Sequence, residues 1–125
     1  MTTLGDFEGA APDSTAEAAR RVFRHNLRLL REHGVALAVG SDSYESVSVS
    51  EALQLRDLGV FTNRELLKMW GETTPKTIFP ERKIGRLEPG FEASFLVLGG
   101  NPLRSFSAVG DIRMAVKRGV ILGSP

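Results

Sequence analysis

The residues that could do chemistry are few, and they concentrate in "VALAVGSDSYES" at 35–46, where five apolar residues run into Gly40 and then into one acid, Asp42. A lone carboxylate can accept a proton and return it, but it cannot by itself hold a catalytic zinc, which needs three protein ligands. Gly-Ser-Asp-Ser after a strand is equally an ordinary loop, with the Asp side chain bonding nearby backbone amides. Ser41 and Ser43 flank Asp42, yet "VGSDS" is not a Gly-x-Ser-x-Gly elbow and no histidine is placed to activate either serine. Tyr44 and Glu45 could line a substrate mouth, and residues of this kind are as readily plain solvated loop. The two histidines, His25 and His33, are eight residues apart in one helical stretch. That is ~12 Å along a helix axis, too far to share one metal, and His33 before Gly34 reads as a favourable charge at a helix C-terminus. With no cysteine in the chain, disulfides, thiolate metal sites and cysteine nucleophiles are excluded.

These residues need elements to hold them. "STAE" at Ser14–Glu17 is a capping box. It predicts a helix over 15–33 whose apolar face is Ala16, Ala19, Val22, Phe23, Leu27 and Leu30. Its five arginines read as a solvated outer face, and Gly34 reads as a left-handed stop. "VALAV" at 35–39 is apolar without alternation, the pattern of a strand covered on both faces. "SVSE" (48–51) and "TNRE" (62–65) are further capping boxes, opening helices over about 49–58 and 63–70. Met69 and Trp70 fit the apolar side of the second. "TPKTIF" predicts a helical turn over 75–79 with Thr74 as its cap and Pro75 at the first helical position. From about residue 82 the composition turns to glycine and strand formers. Pro89-Gly90 suits a type II turn, residues 94–98 read as a strand, and 112–117 and 120–122 read as a hairpin closed at Arg118-Gly119.

The totals limit the function classes. At 125 residues the chain is one modest α/β unit with a β-rich tail. A formal net charge of +1 and the absence of interleaved aromatic and basic residues argue against nucleic acid as a partner. No apolar run is long enough for a membrane span. "MTTLGDFEGAAPDS" lacks a basic region followed by an apolar one, so a signal peptide is not expected, and with no cysteine a cytoplasmic location is.

The order of these motifs resembles the C-terminal end of the amidohydrolase superfamily, closest to its imidazolonepropionase-like and prolidase-like branch. The resemblance runs from residue 15 to 122 through "ALAVGSD", "GVFTNRELLKMWGETTPKTIF", "IGRLEPGFEASFLVL", "NPL" and "MAVKRGVIL". It rests on the order and spacing of these stretches, since each alone is weak or moderate. It implies an α/β fold: residues 1–81 form the last helix and strand of a (β/α)8 metallo-hydrolase barrel, and 82–125 the C-terminal strands of a small β-sandwich. It implies that Asp42, at the end of the eighth barrel strand, is a metal ligand and the proton shuttle, with Ser43, Tyr44 and Glu45 in the substrate loop. It also implies a divalent metal, zinc first, in the complete enzyme, and hydrolysis of amide or cyclic amide C–N bonds in a small molecule. The His-x-His pair and the other ligands of that family have no counterpart here, and Ser94 stands where the family commonly has a second acid. The chain alone is therefore expected to bind no metal and to be inactive. An apolar strand without barrel neighbours invites pairing, so a homo-oligomer or a complementing chain is expected in place of a stable monomer. The alternative is a non-catalytic binding or assembly module on the same fold.

Overall fold

The computed structural model describes residues 13–41 and 48–123. Helix α1 (Asp13–Glu32) ends in the motif that Gly34 announces. Gly34 adopts φ +66°, its N–H reaches Arg31 O at 3.1 Å, and Val35 N–H reaches Leu30 O at 3.0 Å. These two bonds satisfy carbonyls that the helix end would otherwise leave open. Asp13 is already helical, so Ser14 lies inside the helix and not at its cap. Its apolar stripe is only partly covered. Phe23 and Leu27 pack against the core, while Val22 is 59% exposed. Two of its arginines reach other elements: part-buried Arg24 Nε donates to Leu58 O at 3.0 Å, and exposed Arg31 pairs with Glu65 at 2.7 Å.

Helix α2 (Ser48–Asp57) stops at Gly59, which adopts φ +68°. Helix α3 (Asn63–Lys68) begins at the expected capping box, with Glu65 N–H on Thr62 Oγ1 at 3.2 Å and Thr62 N–H on Glu65 Oε2 at 2.8 Å. It runs without a break into a π-helical turn, Met69–Thr73, and then into α4 (Thr74–Ile78). Thr74 does not cap α4. The residue before that helix is Thr73, which makes no side-chain cap, and the Thr74 hydroxyl turns elsewhere.

The tail folds as an antiparallel meander in the order β1-β2-β3, with β1 at Phe95–Leu98, β2 at Ile112–Lys117 and β3 at Val120–Leu122. Phe95 faces Val116, and the register shifts by a bulge between Val97 and Leu98. Lys117 faces Val120 across Arg118 and Gly119, which have φ of +51° and +78°. Positive φ at both central residues is the two-residue hairpin turn whose twist matches the strands. Glu88–Phe91 is the expected type II turn, with Gly90 at φ +87° and Phe91 N–H on Glu88 O at 3.0 Å.

The core joins the two parts. Ala52 and Leu55 from α2, Leu58 just after it and Leu66 from α3 share one cluster with Val39. Phe106 and Val109, from a 3₁₀ turn (Phe106–Gly110) between β1 and β2, fill the same cluster, and Phe106 is 1% exposed.

The expected strand at 35–39 is corrected by the structure: residues 35–41 form no strand among the described residues. A strand needs a ladder partner, and the described sheet contains only β1, β2 and β3. Nor is the segment covered on both faces. Val35 is 47% exposed and Ala36 is open, Leu37 and Ala38 are half-buried, and only Val39 is fully buried.

Candidate functional site

Asp42, Ser43, Tyr44 and Glu45 all lie outside the described residues. The structure does place the residues on either side of them. Upstream, Val39 N–H donates to Thr74 Oγ1 at 2.8 Å. The Thr74 hydroxyl donates in turn to Met69 O at 2.8 Å, the carbonyl that also receives the Thr74 backbone N–H. Downstream, the Trp70 indole Nε1–H donates to Ser48 Oγ at 3.2 Å. Both anchors thus come from the π turn and the residue that follows it.

Trp70 is half-buried against the core, as its place on the apolar side of the helix predicts, and it also carries this polar contact. Thr74 is a buried polar residue of a kind that sequence reasoning misses. Its hydroxyl reads locally as a cap, whereas its partner Val39 is 35 positions away. Glu51, expected to close the second capping box, is itself buried in α2.

His25 and His33 are both exposed on and just beyond α1. Among the described residues there is no group of three or more His, Asp or Glu able to hold a metal ion.

Beside Trp70 and Ser48 an open cleft of about 510 Å³ separates the helices from the sheet. Leu67 and Trp70 line one wall, Phe95, Leu96 and Ile112 the other, and Leu87 stands at the edge, 79% exposed. Arg86 at the edge is held by Glu72 at 3.1 Å and Glu88 at 3.7 Å.

Two carboxylates are held below the ordinary carboxylate range. The Thr62 backbone N–H, then the Arg31 guanidinium, lower Glu65. The Ser94 hydroxyl, then Arg82, lower Glu92. Glu92 accepts from Ser94 Oγ at 2.6 Å and from Arg82 at 2.7 Å, while Ser94 Oγ also receives Arg118 N–H at 3.1 Å. Ser94, the residue in place of a second acid, thus ties the loop before β1 to the hairpin turn. Among the described residues no helix is long and apolar enough to cross a membrane.

No protein-family model matches the chain, and no curated protein sequence matches it. Solved structures do. A structure named as an amidohydrolase superposes with a TM-score of 0.73 at 22% identity, over 97% of this chain and 31% of its own. A prolidase complexed with N-methylphosphonate-L-proline gives 0.74 at 21% identity, over 94% of this chain and 30% of its own. The ochratoxinase of A. niger gives 0.76 at 23% identity, over 94% of this chain and 29% of its own. The chain therefore shares the fold of the corresponding part of these structures and spans about 30% of their length.

Proposed function

We propose that the chain is the C-terminal portion of a metal-dependent amidohydrolase that cleaves amide or cyclic amide C–N bonds. The observation that carries this reading is the structural likeness over 94% or more of the chain to proteins named as hydrolases of this type. The order of its sequence motifs supports the same assignment. In this reading residues 35–39 take the place of the eighth barrel strand, and Asp42 follows its C-terminal end, where barrel enzymes carry their chemistry.

In the complete enzyme Asp42 would be a metal ligand and the group that takes a proton from the attacking water and hands it to the departing amine. Ser43, Tyr44 and Glu45 would belong to the substrate loop. The metal, when bound, polarises the carbonyl and eases ionisation of the water. Its remaining ligands come from outside the described residues, in the rest of the barrel. That barrel is completed by the same polypeptide or by a complementing chain. Exposed Leu87 and Leu96 at the cleft, and the open end of residues 35–41, are surfaces for such completion.

A second reading, a non-catalytic binding or assembly module, is favoured by the lack of a ligand cluster among the described residues. The protein purified from its source, in the length and complex in which it occurs, separates the two. It is loaded with Zn²⁺ and assayed against N-acyl amino acids, dipeptides and cyclic amides. Hydrolysis that falls at least ~100-fold in Asp42→Asn supports the enzyme reading. Full activity in Asp42→Asn overturns the role given to Asp42. Absence of hydrolysis across the panel in the native assembly overturns the enzyme and leaves the module.

A further inference from the structure

Residues 83–92 form a loop that is fastened at its base and loose at its tip. At the base the Glu92 N–H donates to Lys83 O at 2.7 Å, and the Glu92 carboxylate receives Arg82 at 2.7 Å and Ser94 Oγ at 2.6 Å. A segment of this length with its ends held together is an Ω-type loop. Residues 86–90, at the tip, are all exposed. The bond from Phe91 N–H to Glu88 O stays within the loop, and among the described residues no backbone hydrogen bond ties residues 84–87 to the rest of the chain. Few backbone bonds and little burial mark a segment that opens locally at small cost.

Two glycines bracket the tip, Gly85 at φ +94° and Gly90 at φ +87°. Residues without a Cβ absorb large backbone changes, which is what a hinge must do. Gly85 also backs onto the Gly71 carbonyl of the π turn, so closely that a Cβ would overlap it. That contact gives the hinge a fixed pivot.

The tip carries Leu87, at 79% the most exposed of the large apolar side chains described. It stands at the edge of the apolar cleft, whose walls include Trp70 and Leu96. An ion pair holds it off them. Arg86, the neighbour of Leu87, donates through Nε and a terminal nitrogen to Glu72 Oε2 at 3.2 and 3.1 Å. Glu72 belongs to the π turn, whereas the second acid near Arg86, Glu88 at 3.7 Å, travels with the tip. Both Arg86 and Glu72 are open to water, so separating them costs little. Lowering Leu87 onto the two walls returns apolar burial.

We propose that residues 86–89 are a lid on the apolar cleft, hinged at Gly85 and Gly90, which closes by laying Leu87 on Trp70 and Leu96 when Arg86 leaves Glu72. The cover is the chain's own leucine, and the lid does not depend on the hydrolase reading.

Trp70 is the single tryptophan of the chain, so acrylamide quenching of its fluorescence reads the mouth of the cleft in the full protein. In Glu72→Gln the closed-to-open ratio is expected to rise about 2- to 5-fold, the weight of one exposed ion pair. Quenching falls accordingly, and nuclear Overhauser contacts between the Leu87 methyls and the Trp70 indole grow. Arg86→Gln does the same from the lid side. Adding Leu87→Ser to either variant abolishes the effect, because the closed form then has nothing apolar to bury. Where the variants do not fold, the unsubstituted chain decides: raising NaCl from about 0.02 to 0.5 M screens the pair and must lower quenching.

Quenching that stays level or rises in Glu72→Gln and Arg86→Gln overturns the lid. A fall that persists when Leu87 is serine overturns it too, since the shielding then comes from elsewhere. So does a level response to salt in the unsubstituted chain.

Discussion

Gly85 and Gly90 form a natural controlled pair. Both need positive φ, at +94° and +87°. A Cβ at Gly90 meets nothing within 4 Å, whereas a Cβ at Gly85 overlaps the Gly71 carbonyl oxygen and stands 3.2 Å from Glu72 Cα. Those are backbone atoms of the π turn, which cannot swing aside as a side chain would. Replacing either glycine by alanine costs about 1–2 kcal/mol for the left-handed backbone, offset by about 0.4–1 kcal/mol from a less flexible unfolded chain. At Gly85 alone the overlap adds about 1–3 kcal/mol, the usual cost of forcing atoms into a packed site. Gly85→Ala is therefore expected to be less stable than Gly90→Ala by about 1–3 kcal/mol. In urea, with a slope of about 1–3 kcal/mol per molar, that separates the two midpoints by roughly 1 M at equal protein concentration. Equal midpoints would show that the loop at Gly85 is not seated against the π turn.

Glu65 gives a pH prediction. Its folded carboxyl lies below the ordinary value of 4.5, chiefly through the Thr62 N–H and then Arg31. The unfolded chain therefore binds the proton first as pH falls. The stabilisation is present above the unfolded pKa and is lost as pH drops through the folded one, so melting temperatures should fall below about pH 4.5, and less so in Glu65→Gln. Parallel acid limbs would refute this. Arg118 occupies a left-handed position at φ +51°. Arg118→Asn should raise stability by about 0.5–1 kcal/mol, and a lowered urea midpoint would count against the turn as described. Ile121, 66% exposed on the outer strand, offers an edge without a charge. Ile121→Lys should shift sedimentation toward smaller species, and an identical distribution would place any self-association elsewhere.

What could be read from the sequence was local. The hairpin at Arg118-Gly119, the turn at Pro89-Gly90, the Thr62–Glu65 box and the stop at Gly34 each depend on residues within a few positions of one another. In each case the structure places them as expected. Thr74 escaped because a threonine before a proline has a local reading, and the partner that overrides it lies 35 positions upstream. Phe106, among the most deeply buried side chains, sits in a stretch with no periodicity to announce it. "VALAV" failed differently. An unbroken apolar run reports the surroundings that a segment is suited to, and here only Val39 receives them from this chain.

That uneven burial has a direction, and it bears on the proposed chemistry. Residues 35–41 are open at Val35 and Ala36 and closed at Val39, where the core and the Thr74 hydroxyl meet them. The chain's own packing thus fixes the C-terminal end of the segment, which in the proposed barrel reading is the end that presents chemistry. What is left open is the other end, together with the apolar cleft beside the sheet. A partner that completed the barrel would gain by covering Val35, Leu87 and Leu96, at about 25 cal/mol per Å² of apolar surface removed from water. It would not need to order the approach to Asp42, because Val39 is already held. Assembly and chemistry then draw on different residues. Polar substitutions at Leu87 or Leu96 should weaken association, whereas Thr74→Val should leave association intact and release the Val39 amide.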